Sequence, residues 1–178
     1  MKKLVLTFIF IFCSFAVIIA QNKMAVGAGL VVSLPMGDFG DVANTGFGGT
    51  ASFELGFTPQ LVGIGHIGYI VYGTESDAVD FSTVPLLVGV KYFFVPNMGL
   101  YGIGQVGLNF FSTTVEIPEV FGFGGGSVSE TSTEFTFVIG AGYELPVSSN
   151  VSLDFSGTFN LISDFNNIQL RVGANFGL

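Results

Sequence analysis

Residues Asn167 to Leu178, NIQLRVGANFGL, decide the fold. The even positions Ile168, Leu170, Val172, Ala174, Phe176 and Leu178 are apolar, while the odd positions Asn167, Gln169, Arg171, Gly173, Asn175 and Gly177 are polar or glycine. A period of two marks a strand, because successive side chains leave an extended backbone on opposite faces. One face is dry and the other wet. In a soluble barrel the apolar face builds the core; in a membrane barrel it meets lipid and the polar face lines the lumen.

The same alternation recurs upstream. With turn residues as boundaries, strands are expected near Met24 to Leu34, Gly46 to Phe57, Leu61 to Tyr72, Phe81 to Val95, Gly99 to Phe111, Thr133 to Leu145 and Val151 to Ile162, making eight with the last. Each exceeds the roughly 9 to 11 residues a tilted strand needs to cross a bilayer.

Composition chooses between the two orientations. Mean hydropathy is +0.70, and 49% of residues are hydrophobic against 10% charged, far from the near-quarter charged of ordinary soluble domains. Yet 26 glycines interrupt the apolar runs after residue 23, and none approaches the roughly 20 residues of a spanning helix. A membrane chain without such helices must close a barrel to satisfy its backbone polar groups. The expected fold is therefore all-β, an eight-stranded antiparallel up-and-down transmembrane barrel over residues 21–178.

The first 20 residues differ. Lys2 and Lys3 precede an apolar run from Leu4 to Ile19, and Ala20 stands before Gln21 and Asn22, which reads as a signal peptide over 1–20. Cys13 lies within that run without the small residues that precede a lipidated cysteine, and it is the sole cysteine of the chain. Its removal would leave no disulfide and no thiol chemistry. Removal of the leader would also leave Lys23, Lys91 and Arg171 against 13 acids, a net charge of −10. No basic patch exists for nucleic acid.

Connections alternate in length. Pro35 to Thr45, Gly73 to Asp80, Ser112 to Ser132 and Ser163 to Asn166 follow odd strands, whereas only Thr58 to Gln60, Pro96 to Met98 and Pro146 to Asn150 follow even ones. Long and short loops thus lie at opposite ends. Ten acids (Asp38, Asp41, Glu75, Asp77, Asp80, Glu116, Glu119, Glu130, Glu134 and Asp164) fall in or beside the long loops, with no Lys or Arg among them. They read as a hydrated rim, since neither Asp38/Asp41 nor Glu75/Asp77/Asp80 has the ligand spacing of a calcium loop. No metal and no cofactor are expected.

Parity places Phe47, Phe53, Val88, Tyr92, Phe137, Phe155 and their even or odd neighbours toward lipid, and Thr50, Ser52, Glu54, Lys91, Thr136, Glu144, Ser152, Asp154, Ser156, Asn160, Arg171 and Asn175 inward. The third and fifth strands are less regular, with Ile64 and Ile103 on the provisional inward face beside His66, Gln105 and Asn109. Three carboxylates and two cations inside one narrow tube should pair, because an unpaired buried charge is costly. A seal at the short-turn end is expected from Glu54, Lys91, Glu144, Asp154 and Arg171, with His66 nearby. An eight-stranded interior is just wide enough for side chains to fill. His66 has no neighbouring serine in sequence and no triad spacing, so a polar lumen residue is expected rather than a catalytic base.

The chain ends on Arg171, Gly173, Phe176 and Leu178, in the order polar, Gly, aromatic, hydrophobic at fixed spacing, which resembles the assembly signal of outer-membrane β-barrels; Leu178 stands where Phe or Trp is usual. The leader, the eight segments, the loop asymmetry and this ending together resemble the small outer-membrane β-barrels, the OmpA-like and OmpX-like proteins of the porin family. The resemblance covers about residues 24–178. It implies a bacterial outer-membrane location, contact with lipid and engagement of the last strand by the barrel assembly machinery. Its members include adhesins, structural proteins, narrow channels and lipid-modifying enzymes. The expectation here is a monomeric, non-enzymatic barrel with a structural or surface role. Its partner contact would lie at 112–132, a Gly-rich loop or a hairpin extending the strands. A narrow pore and a soluble barrel for an apolar ligand are the alternatives.

Overall fold

The computed structural model describes residues 23–74, 79–95, 98–117, 126–163 and 165–178. The leader reading over 1–20, the acids Glu75, Asp77, Glu119 and Asp164 and the loop-tip residues Val120, Phe121 and Phe123 lie outside the described residues. So do the side chains of Asp80, Val115, Glu116 and Ile117.

Eight strands close one barrel: β1 (Met24–Pro35), β2 (Gly46–Gly56), β3 (Leu61–Tyr72), β4 (Val79–Phe93), β5 (Leu100–Ile117), β6 (Gly126–Pro146), β7 (Val151–Ile162) and β8 (Asn167–Gly177). Every pair is antiparallel, and β8 returns to β1 in the register Val26↔Phe176, Gly29↔Gly173, Ser33↔Gln169. Closure leaves no unpaired edge around the barrel wall, the condition for strands to lie in lipid.

The short connections are tight turns. Phe57 donates its N–H to the Leu61 carbonyl at 2.9 Å and Val147 does the same to Val151 at 2.9 Å. At the third, Gly99 holds φ at +76°, and a Cβ there would collide with the Glu144 carbonyl oxygen. Only glycine meets both demands.

The two faces separate as the alternation requires. On β8, Leu170, Val172 and Phe176 are exposed while Asn167, Arg171, Gly173 and Asn175 are buried. Exposed large apolar side chains girdle all eight strands, among them Leu30, Phe53, Ile67, Val88, Leu108, Phe137, Phe155 and Val172. A belt of that extent exceeds the apolar patches soluble monomers tolerate, and it turns outward, so the soluble barrel with an apolar interior does not describe this chain. Ile64 and Ile103 do face inward, 7% and 8% exposed, so β3 and β5 keep the same parity as the rest.

Boundaries differ most at the long-loop end. The segment Ser112 to Ser132 is no loose loop over its described part: β5 and β6 continue their ladder from Ser112↔Thr131 to Ile117↔Gly126, and Glu130 and Glu134 lie within β6. Hydroxyl residues suggest turns, but Thr113, Thr114, Thr131 and Thr133 are β-branched and fit a pleated surface. Cross-strand hydroxyl pairs, Ser112 with Thr131 at 3.1 Å and Thr114 with Ser129 at 3.0 Å, hold the extension. β4 likewise begins at Val79 and supports it through Val79↔Val115.

Candidate functional site: the lumen and its two closures

Near the short turns, four strands place charged residues at one level inside the tube: Glu54 two residues before β2 ends, Lys91 at the same distance from the end of β4, Asp154 early in β7 and Arg171 in β8. The Lys91 ammonium donates to Glu54 Oε1 at 2.7 Å and to Asp154 Oδ2 at 2.9 Å; Glu144 Oε2 stands farther off at 3.8 Å. Arg171 donates from Nη1 to the other Asp154 oxygen at 2.7 Å and from Nε to Thr50 Oγ1 at 2.9 Å. The two fully paired carboxylates balance the two cations. Glu144, partly exposed, accepts instead from Ser152 Oγ at 2.5 Å and faces an open vestibule with Lys23 and Asn175.

Asp154 is the hub. Its side chain is fully buried and is shared by Lys91, Arg171 and Tyr101, whose hydroxyl donates to Oδ2 at 2.8 Å. The Lys91 ammonium also lies 4.6 Å from the centre of the Tyr101 ring, within cation–π range. Tyr101 was not among the residues singled out from sequence. Its signal was parity, since it shares the inward face of β5 with Ile103 and Gln105.

The close fit of Tyr101 depends on an absent side chain. A Cβ on Gly142 would strike the Tyr101 hydroxyl and lie 2.7 Å from the Phe155 carbonyl oxygen. Gly142→Ala is therefore expected to cost about 1–3 kcal/mol by overpacking. Urea titration of the lipid-embedded protein measures it, and a cost below about 0.5 kcal/mol, the level of an uninvolved surface site, would show that the site gives way freely.

His66 lies beyond this layer rather than in it. It lines a chamber of about 30 Å³ together with Ser52, Gln105, Tyr101, Asp154 and Arg171. Register places Ser52 directly opposite His66, a juxtaposition invisible in sequence because the two sit on different strands. Neither Ser52 Oγ nor His66 Nε2 makes a hydrogen bond, so they do not form a base–nucleophile couple. The chamber has room for about two waters and for no organic substrate.

A second closure, which sequence parity did not reveal, fills the long-loop end. A 3-10 turn at Gly37–Phe39 tucks Phe39 into the barrel mouth, against Tyr72 at 5.0 Å, Phe165 at 5.3 Å and Phe111 at 6.1 Å between ring centroids. Val31, Ala43, Ile70 and Ile162 complete this apolar cap. Backbone bonds from Met36 to the Asn166 carbonyl (2.9 Å) and from Asn44 to that of Gly73 (2.8 Å) tie the Phe39 loop to its neighbours. Beneath it Asn167 Oδ1 accepts from Ser33, Asn160 and Gln169. Thr83 donates to Asn109 in the same region.

The assembly-signal residues divide between the faces. Arg171 and Gly173 point inward, where Arg171 belongs to the ionic layer, whereas Phe176 and Leu178 are exposed outside. No group of three or more His, Cys, Asp or Glu able to hold a metal occurs among the described residues.

A family model described as the outer membrane protein beta-barrel domain matches residues 5–176. Among solved structures, similar chains include Ail, the attachment invasion locus protein of Yersinia pestis, at TM-score 0.66 and 17% identity, covering 89% of this chain and 99% of that one. The same protein has been solved with the heparin analogue sucrose octasulfate (TM-score 0.65, 16% identity, 89% and 99% covered). Neisserial surface protein A matches at TM-score 0.58 and 18% identity, covering 86% and 96%. At these identities the likeness is one of fold. No curated protein matches.

Proposed function

Given that the chain belongs to the outer membrane protein β-barrel domain family, we propose that it is a non-enzymatic, sealed barrel that anchors an acidic surface outside the outer membrane. The observation that carries this reading is the double closure of the lumen. The ionic layer around Asp154 fills the periplasmic half and the Phe39 cap fills the outer mouth. Either alone narrows the tube to side-chain packing, and together they leave a chamber too small for a solute.

The signal peptide over 1–20 would deliver the chain to the periplasm, and the exposed Phe176 and Leu178 of β8 would meet the assembly machinery. Closure of the barrel on itself supports a monomer. What remains for function is the outer surface. No Lys or Arg occurs between Lys23 and Lys91 or between Lys91 and Arg171. Among the described residues the charges at the long-loop end are therefore acids alone, Asp38 and Asp41 in the first connection and Glu130 and Glu134 on the outer part of β6. Such a surface attracts cationic partners and repels sulfated polyanions of the kind bound in the Ail complex.

Planar-bilayer recording tests the seal. The refolded protein is expected to give no stable open level. A large, steady conductance would overturn the sealed reading in favour of a narrow pore.

A further inference from the structure

We propose that the chamber beside His66 is a proton-linked halide site, which takes up one small monovalent anion when the imidazole carries its second proton. The inference rests on the sealed reading above, since an ion enclosed there is held and not passed on. Four residues that line the chamber each keep a buried polar atom without a partner: Ser52 Oγ, His66 Nε2, Gln105 Nε2 and Arg171 Nη2. Ser52, Gln105 and Arg171 are 8%, 3% and 9% exposed, so solvent outside the barrel does not serve them. A hydrogen bond left unmade at that depth is costly.

The chemistry of these atoms sets the ligand. Arg171 Nη2 and Gln105 Nε2 can only donate, and the Ser52 hydroxyl can donate as well. His66 decides the rest. A neutral imidazole with its lone pair on Nε2 offers an acceptor, and water, which both accepts and donates, suits that set. The imidazolium donates from both nitrogens, so the four residues then present donors alone, which an anion satisfies. The charges also balance. Lys91, Arg171 and a protonated His66 make three cations against the buried carboxylates Glu54 and Asp154, and one halide supplies the third negative charge. Glu144 stands apart, facing the open vestibule.

The strands make room for this arrangement. Gly89 on β4 pairs with Gln105 on β5 and with Ile64 on β3, two residues before His66. A Cβ on Gly89 would lie 2.8 Å from Gln105 Cγ, so its absence lets Gln105 lie over β4 on the His66 side. The ionisable groups that line the chamber with His66 are Lys91 of β4, Tyr101 of β5, Asp154 of β7 and Arg171 of β8; β2 brings the neutral Ser52, β6 the apolar Val138, and no residue of β1 lines it. Lys91 and Tyr101 are both committed to Asp154, which leaves the unpaired nitrogen of Arg171 as the fixed cationic donor. At about 30 Å³ the chamber admits an ion of no more bulk than the two waters it replaces and excludes sulfate.

The test uses the full refolded protein, crystallised in sodium bromide at about pH 5 and at about pH 8, on either side of the ordinary histidine titration. Diffraction at the bromine absorption edge locates the ion, and the Gln105 side-chain amide resonance, followed in nanodiscs as bromide is added, gives its affinity. At the lower pH an anomalous peak is expected in the chamber against Gln105 and Arg171, and at the higher pH bromide should bind at least about tenfold more weakly. Gln105→Leu and Ser52→Ala, each checked for folding by the change of mobility on boiling, should weaken bromide roughly tenfold at the lower pH. No peak in the chamber at the lower pH would overturn the site and leave it to water. Equal binding at both pH values would overturn the link to His66. A peak unaltered by both substitutions would be an adventitious ion only and would overturn the donor set. The seal is judged separately, by conductance.

Discussion

Asp154→Ala is expected to destabilise the folded barrel by about 3–5 kcal/mol, because it removes the acceptor shared by two buried cations. Lys91 would keep Glu54 at 2.7 Å, but Arg171 would lose its one carboxylate partner among the described residues and Tyr101 its acceptor. The charge count inside the tube would then be two cations against Glu54 and the more distant, partly exposed Glu144. Glu144→Gln breaks only a 3.8 Å pair with access to water and is expected to cost less than about 1 kcal/mol. The chain has no Trp, so unfolding in urea is followed by circular dichroism or by the mobility difference between folded and boiled protein. Equal costs for the two variants would mean that Asp154 is not the hub of the layer.

The second large effect concerns the opposite face. Phe155→Arg places a charge outward near the middle of β7, where a cation in the hydrocarbon costs on the order of 2–4 kcal/mol. Ser156→Asn, one residue on, turns inward toward the chamber and adds only a polar group where polar groups already line the wall. Its expected cost is below about 1 kcal/mol. The comparison is sharp because period-two geometry converts a shift of one residue into a change of solvent. Similar costs at both positions would contradict that separation.

How far the sequence reached follows from the same geometry. β2, β7 and β8 were legible because their outward positions carry Phe, Leu and Val while their inward ones carry Ser, Thr, Asn and charge. The positions of Glu54, Lys91, Asp154 and Arg171 could be placed inside by parity alone, and their level by distance from the short turns. Which carboxylate each cation takes could not, since that depends on register and on how far each side chain reaches across the tube. Ser52 opposite His66 was hidden for the same reason.

Parity is silent about connections, and there the sequence misled or said nothing. Phe39 and Phe165 belong to loops, and only the folded backbone shows that they turn into the mouth. Ile64 and Ile103 obscured the reading of β3 and β5 because inward apolar residues look like a slipped register; they instead pack with Tyr101 and Phe93 beside the ionic layer. At 112–132 the hydroxyl residues leave a loop and a strand extension equally open, and the ladder decides for the hairpin over the described part, with Ser112 and Thr131 as a rung.

The orientation of the wall can be measured with side chains of one chemical kind. In nanodiscs carrying spin-labelled acyl chains, the methyl resonances of Leu86, Val88, Val90, Leu170 and Val172 should broaden strongly, because these residues are exposed on the outer face. Those of Val31, Ile70, Leu87, Val138 and Ile162, which are just as apolar but buried in the lumen, should stay sharp. Broadening of the inner set with the outer set preserved, or equal broadening of both, would contradict a barrel that shows its apolar face to lipid and keeps its charged network enclosed.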